Sequence, residues 1–142
     1  MTTNNFQFSF TSFKNENEVY SLLLNVKEWW SGLFCEDIKG KYDRIGDEFT
    51  FNAGDGIHYS KQKLIELVPY QKIVWLVTES NLSSLTDTNE WTGTKICFDI
   101  EKRENFINII FTHKGLIPDI ECYDQCTNAW TQYLQKLSSY LN

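Results

Sequence analysis

The side chains able to do chemistry near neutral pH are few: two histidines, His58 and His113, and four cysteines, Cys35, Cys97, Cys122 and Cys126. A histidine titrates close to physiological pH and serves as proton shuttle, ligand anchor or structural hydrogen-bonding group. His113 shares a face with Ile107, Ile109 and Phe111 on a predicted strand. On an apolar face all three roles stay open. Acid–base work needs a positioned partner. Glu66 is a candidate, but its facing is ambiguous. Lys61, Lys63, Ile65 and Leu67 alternate with Gln62, Leu64, Glu66 and Val68, and neither set is cleanly apolar. Cys122 and Cys126 lie four apart on a predicted helix. That spacing sets Cβ atoms about 5–6 Å apart, whereas a disulfide needs about 3.5–4.5 Å, so an intact helix resists bridging them. Nor is it the C-x2-C of structural zinc sites, even with His58 or His113 as further ligands. The plain reading is two small semi-polar residues on a packed helix face, with no metal and no cofactor.

Other catalytic signatures are missing. The chain has no G-x-S-x-G and no phosphate-binding P-loop. Gly54-Asp55-Gly56 lacks the strand-to-helix context of a nucleotide loop and reads as a hairpin turn. With 13 Lys and Arg against 19 Asp and Glu, the net charge is −6. That balance disfavours nucleic acid as a partner, because such affinity comes from neutralising phosphates. The longest apolar run is Ile73–Val77, far short of the roughly 18 residues of a spanning helix, so no membrane insertion is expected. The N-terminus lacks the basic and apolar regions of a secretory signal. The expected location is the cytoplasm, where the cysteines stay reduced.

The elements that must position these residues follow from periodicity. Asn5 to Phe13 alternates through Phe6, Phe8 and Phe10, giving a strand. Asn15 and Glu18 form a capping box ahead of a helix carrying Val19, Leu22, Leu23 and Val26, which ends at Trp29-Trp30-Ser31-Gly32. Strands are predicted over 46–52, 57–68, 72–78, 94–100 and 105–113, with a polar loop over 81–89. Asp119 is the predicted N-cap of an amphipathic helix of about 22 residues through Ile120, Tyr123, Cys126, Trp130, Tyr133, Leu134, Leu137 and Leu141. A run of strands followed by a long helix implies an α+β domain over 1–142, a curled antiparallel sheet of six to seven strands holding the C-terminal helix. The space between them is where a pocket would sit.

Four stretches, in order, resemble a known family. They are Trp29-Trp30-Ser31-Gly32; Gly46-Asp47-Glu48-Phe49-Thr50-Phe51; Glu66-Leu67-Val68-Pro69 with Ile73-Val74-Trp75; and Thr112-His113-Lys114-Gly115 with Trp130-Thr131-Gln132-Tyr133-Leu134. The pattern is similar to the helix-grip superfamily of START lipid-transfer domains, birch-pollen-allergen-like proteins and polyketide cyclases. Within it the chain resembles the homologues of the activator of heat-shock protein 90 ATPase. The resemblance implies a cavity between sheet and helix. Its members include lipid carriers, cyclases and co-chaperones, so fold alone does not transfer function.

The inferred lining is Phe49, Phe51, Trp75, Val77, Phe98, Ile109, Phe111, His113, Trp130 and Tyr133, with Trp29 and Trp30 near a mouth. Such a lining suits a small apolar or aromatic ligand oriented by His113; the alternative is that 10 Phe, 7 Tyr and 5 Trp fill the space themselves. The expected function is non-covalent binding of such a molecule. The alternatives are a stress-linked co-chaperone domain with a chaperone partner, or a cyclase or aromatase in which His113 moves protons.

Overall fold

The computed structural model of the chain describes residues 4–54 and 56–142. Asp55, the centre of the predicted Gly54-Asp55-Gly56 turn, lies outside the described residues. Seven strands and three helices follow in the order β1 (Phe6–Ser12), α1 (Glu16–Leu24), α2 (Val26–Trp29), β2 (Asp37–Gly40), β3 (Glu48–Ala53), β4 (His58–Val68), β5 (Lys72–Leu82), β6 (Lys95–Lys102), β7 (Ile107–Lys114) and α3 (Tyr123–Tyr140). The α+β expectation holds, with a seven-stranded sheet ordered β1-β7-β6-β5-β4-β3-β2 and every pairing antiparallel.

Strands β2 to β7 form a meander, so local hairpins fix most of the register. The long step is from β1 to β2, which occupy opposite edges of the sheet and are joined through α1 and α2. Asn15 starts that crossover as predicted: its Oδ1 accepts from the Glu18 N–H at 2.8 Å, and its Nδ2 donates to Glu18 Oε1 at 2.8 Å. The two ends of the chain are tied together. Ser12 Oγ donates to the Leu141 carbonyl at 2.6 Å, and Asn142 Nδ2 donates to the Thr11 carbonyl at 2.8 Å.

Three expectations need correction. The strand β2, with Ile38 as its one apolar residue, carries too little alternation to be read from sequence. Strand β5 runs to Leu82 through a stretch predicted as loop, because Ser80 and Leu82 turn inward and are buried. The last helix has 18 residues, about 27 Å, and is capped by Cys122 rather than Asp119. The later start has a tertiary cause. The Glu90 carboxylate, from the loop before β6, accepts the backbone N–H groups of Glu121 and Cys122 at 2.7 and 3.0 Å. A distant side chain thus does the work of a local cap.

The facing of β4 is also settled. Ser60, Gln62 and Leu64 are buried, and irregularities in the pairing with β5 at Lys61/Gln62 and Leu64/Glu66 shift the alternation. Glu66, beyond the second shift, is exposed. A bulge reverses the faces downstream of it, which is why neither alternating set looked apolar.

Gly40 ends β2 at φ +118°, and a Cβ there would stand 2.4 Å from the Glu48 carbonyl oxygen. Gly40→Ala is expected to lower unfolding free energy by about 3 kcal/mol. Gly46→Ala, where φ is +91° but a Cβ meets nothing within 4 Å, should cost about 1 kcal/mol. Urea unfolding of the two variants decides it; equal losses would mean that backbone strain alone, not the β2–β3 approach, sets the requirement at Gly40.

Candidate functional site

Helical spacing puts Cys126, Trp130, Tyr133 and Leu137 on the face of α3 that meets the sheet, and all four are buried. On β3 the two-residue period points Phe49, Phe51 and Ala53 inward. Along that line the side chains shrink from Phe to Ala. Ala129 on α3 is small as well, so sheet and helix do not close on each other at this end. The result is a cavity of about 340 Å³ with Trp30, Phe51, His58, Trp91, Trp130 and Tyr133 on its walls and Ala53, Ala129, Leu82 and Cys126 between them. Its edge is mixed. Phe34 and Ile57 are exposed on one side, and the amide side chains of Gln125, Asn128 and Gln132 are exposed on α3.

Of the twelve residues inferred from sequence, Trp30, Phe51, Trp130 and Tyr133 line this cavity. The other eight do not. Trp29, Phe49, Trp75, Val77, Phe98, Ile109, Phe111 and His113 are at most 1% exposed and pack among themselves and against α3. Edge-to-face contacts join Trp29 to Phe98 at 5.5 Å, Phe98 to Phe111 at 5.3 Å and Phe49 to Trp75 at 6.3 Å. Aromatic rings therefore fill the centre of the grip, and the open volume is displaced to one end.

His113 belongs to the filled part. Trp130 Nε1 donates to His113 Nδ1 at 3.0 Å. His113 Nε2 lies 2.8 Å from Thr94 Oγ1, and that hydroxyl lies 2.6 Å from the Trp91 carbonyl. An indole nitrogen only donates and a carbonyl only accepts. The network therefore assigns one tautomer: His113 Nε2–H donates to Thr94 Oγ1, and Thr94 donates to Trp91. Burial, with a smaller contribution from His58, pushes the His113 pKa down to about 3. The ring is neutral, fully bonded and away from the cavity, and exposed Glu66 is no partner for it.

His58 and Trp91, both absent from the inferred set, line the cavity. His58 packs edge-on against Trp91 at 4.5 Å and Phe51 at 5.5 Å. Burial lowers its pKa to about 4. Among the described residues, its Nε2 is buried without a hydrogen-bond partner, as are Gln62 Oε1 and Trp75 Nε1. His58, Ser60 and Gln62 are alternate inward positions on β4, so a polar stripe runs from the cavity wall toward the core. Such a stripe reads in sequence as a solvent face. Trp91 stacks on Trp130 at 5.9 Å and meets His113 edge-on at 4.6 Å. The one signal for it was a tryptophan directly after a polar segment.

Tyr133 closes another side. Its hydroxyl donates to Glu36, whose carboxylate also accepts the backbone N–H groups of Gly32 at 2.7 Å, Leu33 at 3.1 Å and Phe34 at 2.9 Å. Burial raises the Glu36 pKa, but the Tyr133 and backbone hydrogen bonds more than offset it and hold the carboxyl below its usual value. Burial, and then Glu36, push the Tyr133 hydroxyl well up. Among the described residues, no group of three or more His, Cys, Asp or Glu is placed to hold a metal ion. No helix among them is long and apolar enough to cross a membrane.

A curled antiparallel sheet gripping a C-terminal helix, with a cavity at one end of the grip, defines a helix-grip protein. Residues 16–142 match the family model for Activator of Hsp90 ATPase homolog 1-like proteins, and the chain belongs to that family. Solved structures agree on the fold. The Aha1 dimer from Colwellia psychrerythraea is 23% identical with TM-score 0.74, covering 96% of this chain and 95% of that one. A protein from Chromobacterium violaceum is 18% identical with TM-score 0.69, covering 97% of each chain. A protein from Nitrosospira multiformis is 11% identical with TM-score 0.74, covering 97% and 96%. No curated protein sequence matches the chain.

The buried neutral histidine has a pH consequence. Unfolded His113 would titrate near 6.5 and the folded ring near 3. Its contribution is therefore intact above pH 6.5 and is lost progressively as pH falls from 6.5 toward 3. By pH 5 the loss is about 2 kcal/mol from this residue. Urea unfolding at pH 7 and pH 5 measures it; a flat profile across that interval would mean that the folded state takes up the proton too.

Proposed function

We propose that the chain is a binding module for a small, mostly apolar or aromatic molecule, held non-covalently in the cavity at the end of the grip. The observation that carries this reading is the combination of aromatic walls with a buried polar atom, His58 Nε2, that has no hydrogen-bond partner among the described residues. The rings of Trp30, Phe51, Trp91 and Trp130 offer faces for a flat ligand, and His58 meets a ligand hydroxyl or carbonyl. At about 340 Å³, the volume falls at the lower end of small-molecule pockets, roughly 300–1,000 Å³. Left dry and empty, such a void would cost about 8 kcal/mol at about 24 cal/mol per Å³, comparable with a whole domain's stability of about 5–15 kcal/mol. Solvent at the mouth reduces that cost, but a use for the space accounts for it better. The binding unit is the whole chain, 1–142, since α3 and β1 close it from opposite termini. Among the described residues, His113 is hydrogen-bonded to Thr94 and Trp130 and not to a carboxylate, which supports binding over cyclase-type proton transfer by that ring.

The five indole N–H signals test this directly. Titration with a mixed library of apolar and aromatic ligands is expected to shift Trp30, Trp91 and Trp130, which line the cavity, and to leave Trp29 and Trp75 nearly unmoved. Affinity in the range of about 1–100 μM, some 5–8 kcal/mol, is expected for ligands of this size. Silence across the library, or shifts confined to Trp29 and Trp75, would sink the reading. His58→Phe should weaken ligands carrying a hydroxyl or carbonyl more than pure hydrocarbons.

The family name motivates a second reading, action on a chaperone ATPase. It is favoured by an apolar edge, Leu33, Phe34 and Ile57, exposed by 40, 39 and 53%. Addition of the protein to Hsp90 should then raise its ATPase rate, and a Phe34→Ser, Ile57→Ser variant should lose the effect. An unchanged rate with the wild-type protein would remove this reading and leave the first standing.

A further inference from the structure

One wall of the cavity ends in sulfur. Cys126 Sγ lies 2.6 Å from Cys122 Sγ, and both cysteines are free. An S–S bond measures about 2.05 Å, so the sulfurs need to close by only about 0.6 Å. The helical spacing alone suggested a wider separation. It is relieved because Cys122 is the cap residue, with φ −82° and ψ 1°, and not part of the regular helix.

The surroundings favour charge on one sulfur of the pair. Trp91 Nε1 donates to Cys122 Sγ at 3.4 Å, and Cys126 is positioned to donate its S–H to the same atom. Cys122 also sits at the N-terminus of an 18-residue helix, where a negative charge is stabilised. The Cys126 hydrogen bond first, and the Trp91 indole with it, bring the Cys122 thiol below its ordinary pKa against the opposing effects of burial and of the nearby Glu90 carboxylate. Hydrogen bonding to Cys122 and burial hold Cys126 protonated. The other two cysteines differ. Cys97 is buried on β6 with its thiol pushed up by desolvation, and Cys35 is exposed on a loop.

We propose that Cys122 and Cys126 are an oxidisable dithiol whose oxidant, a small organic hydroperoxide, arrives through the apolar cavity, where Cys126 is on the wall and the Cys122 sulfur lies directly behind it. The Cys122 thiolate attacks the terminal oxygen of the hydroperoxide, and the O–O bond breaks. The alkoxide leaves and takes up a proton as the alcohol, and Cys122 becomes a sulfenic acid. The Cys126 sulfur then attacks Cys122 Sγ, loses its proton, and expels hydroxide, which leaves as water. Overall, two thiols and one hydroperoxide give one disulfide, one alcohol and one water; the sulfurs lose two electrons and the peroxide gains them. This scheme uses the cavity as an access route and does not depend on the reversible ligand proposed above.

The test uses the full chain carrying Cys35→Ser, which removes the exposed thiol. The protein is treated with cumene hydroperoxide, quenched and alkylated under denaturing conditions, and digested at lysine and arginine. Lys114 and Lys136 bound one peptide holding both cysteines. The expected product is that peptide short of two hydrogens and free of alkyl groups, with Cys97 still fully alkylated and the change reversed by dithiothreitol. In a second variant, Cys126→Ser, oxidation should stop at a Cys122 sulfenic acid that dimedone captures. An Ala129→Trp variant with a wild-type unfolding midpoint, its side chain occupying the cavity, should react several-fold more slowly. A peptide that carries two alkyl groups after Cys97 has been oxidised would overturn the dithiol. Equal rates in the Ala129→Trp variant would overturn the route.

Discussion

The hydrogen bond from the Trp130 indole to His113 Nδ1 joins the last strand to the last helix, and the rest of the interior is arranged around it. Because Trp130 can only donate, His113 must be neutral and must place its one proton on Nε2. That proton needs an acceptor, and Thr94 provides one while passing its own proton to the Trp91 carbonyl. The chain of three bonds therefore fixes the segment before β6 as well as β7 and α3. Gly115 belongs to the same constraint. At φ +105° its missing Cβ leaves room for Thr94 Cγ2, which would otherwise stand 2.6 Å away. Breaking any link would leave a buried donor or acceptor unpaired, at about 1–3 kcal/mol.

Fixing Trp91 in this way has a further effect. Its ring is clamped between His58 and His113 and stacked on Trp130, so it becomes a rigid wall and not a loop side chain. One face of the Trp91–Trp130 pair closes the filled core, and the other faces the open volume. The same indole reaches Cys122 through its N–H. A structural hydrogen-bond network, an apolar cavity and a close pair of thiols thus share one tryptophan.

Most of the fold was legible because it rests on local periodicities: Phe6, Phe8 and Phe10 in β1; Ile73, Trp75 and Val77 in β5; Cys126, Trp130 and Leu137 in α3. The inward-facing set was legible for the same reason. Periodicity reports which way a residue points, not whether the space in front of it is occupied. That depends on partners far away in sequence, as when Phe98 meets both Trp29 and Phe111. His58 was missed because its inward neighbours Ser60 and Gln62 are polar, so hydropathy assigns the stripe to solvent. The start of α3 was missed because Glu90, some thirty residues away, supplies the cap.

The position of the open volume follows from a gradient in side-chain size along the grip. At the centre, Phe49, Trp75, Phe98, Phe111 and Trp29 bring enough ring volume to meet α3 from every side. Toward the β3–β4 end the inward residues become Ala53, His58 and Ser60, and α3 contributes Ala129 and Cys126. Interiors pack to near-crystalline density wherever the side chains allow it. Here the sheet cannot collapse onto the helix to remove the void. Trp91 holds the two apart on one side, and on another the Glu36 carboxylate fixes Tyr133 to the loop over residues 32–34. The cavity is therefore a consequence of rigid props around small residues, with His58 as the polar part of its wall.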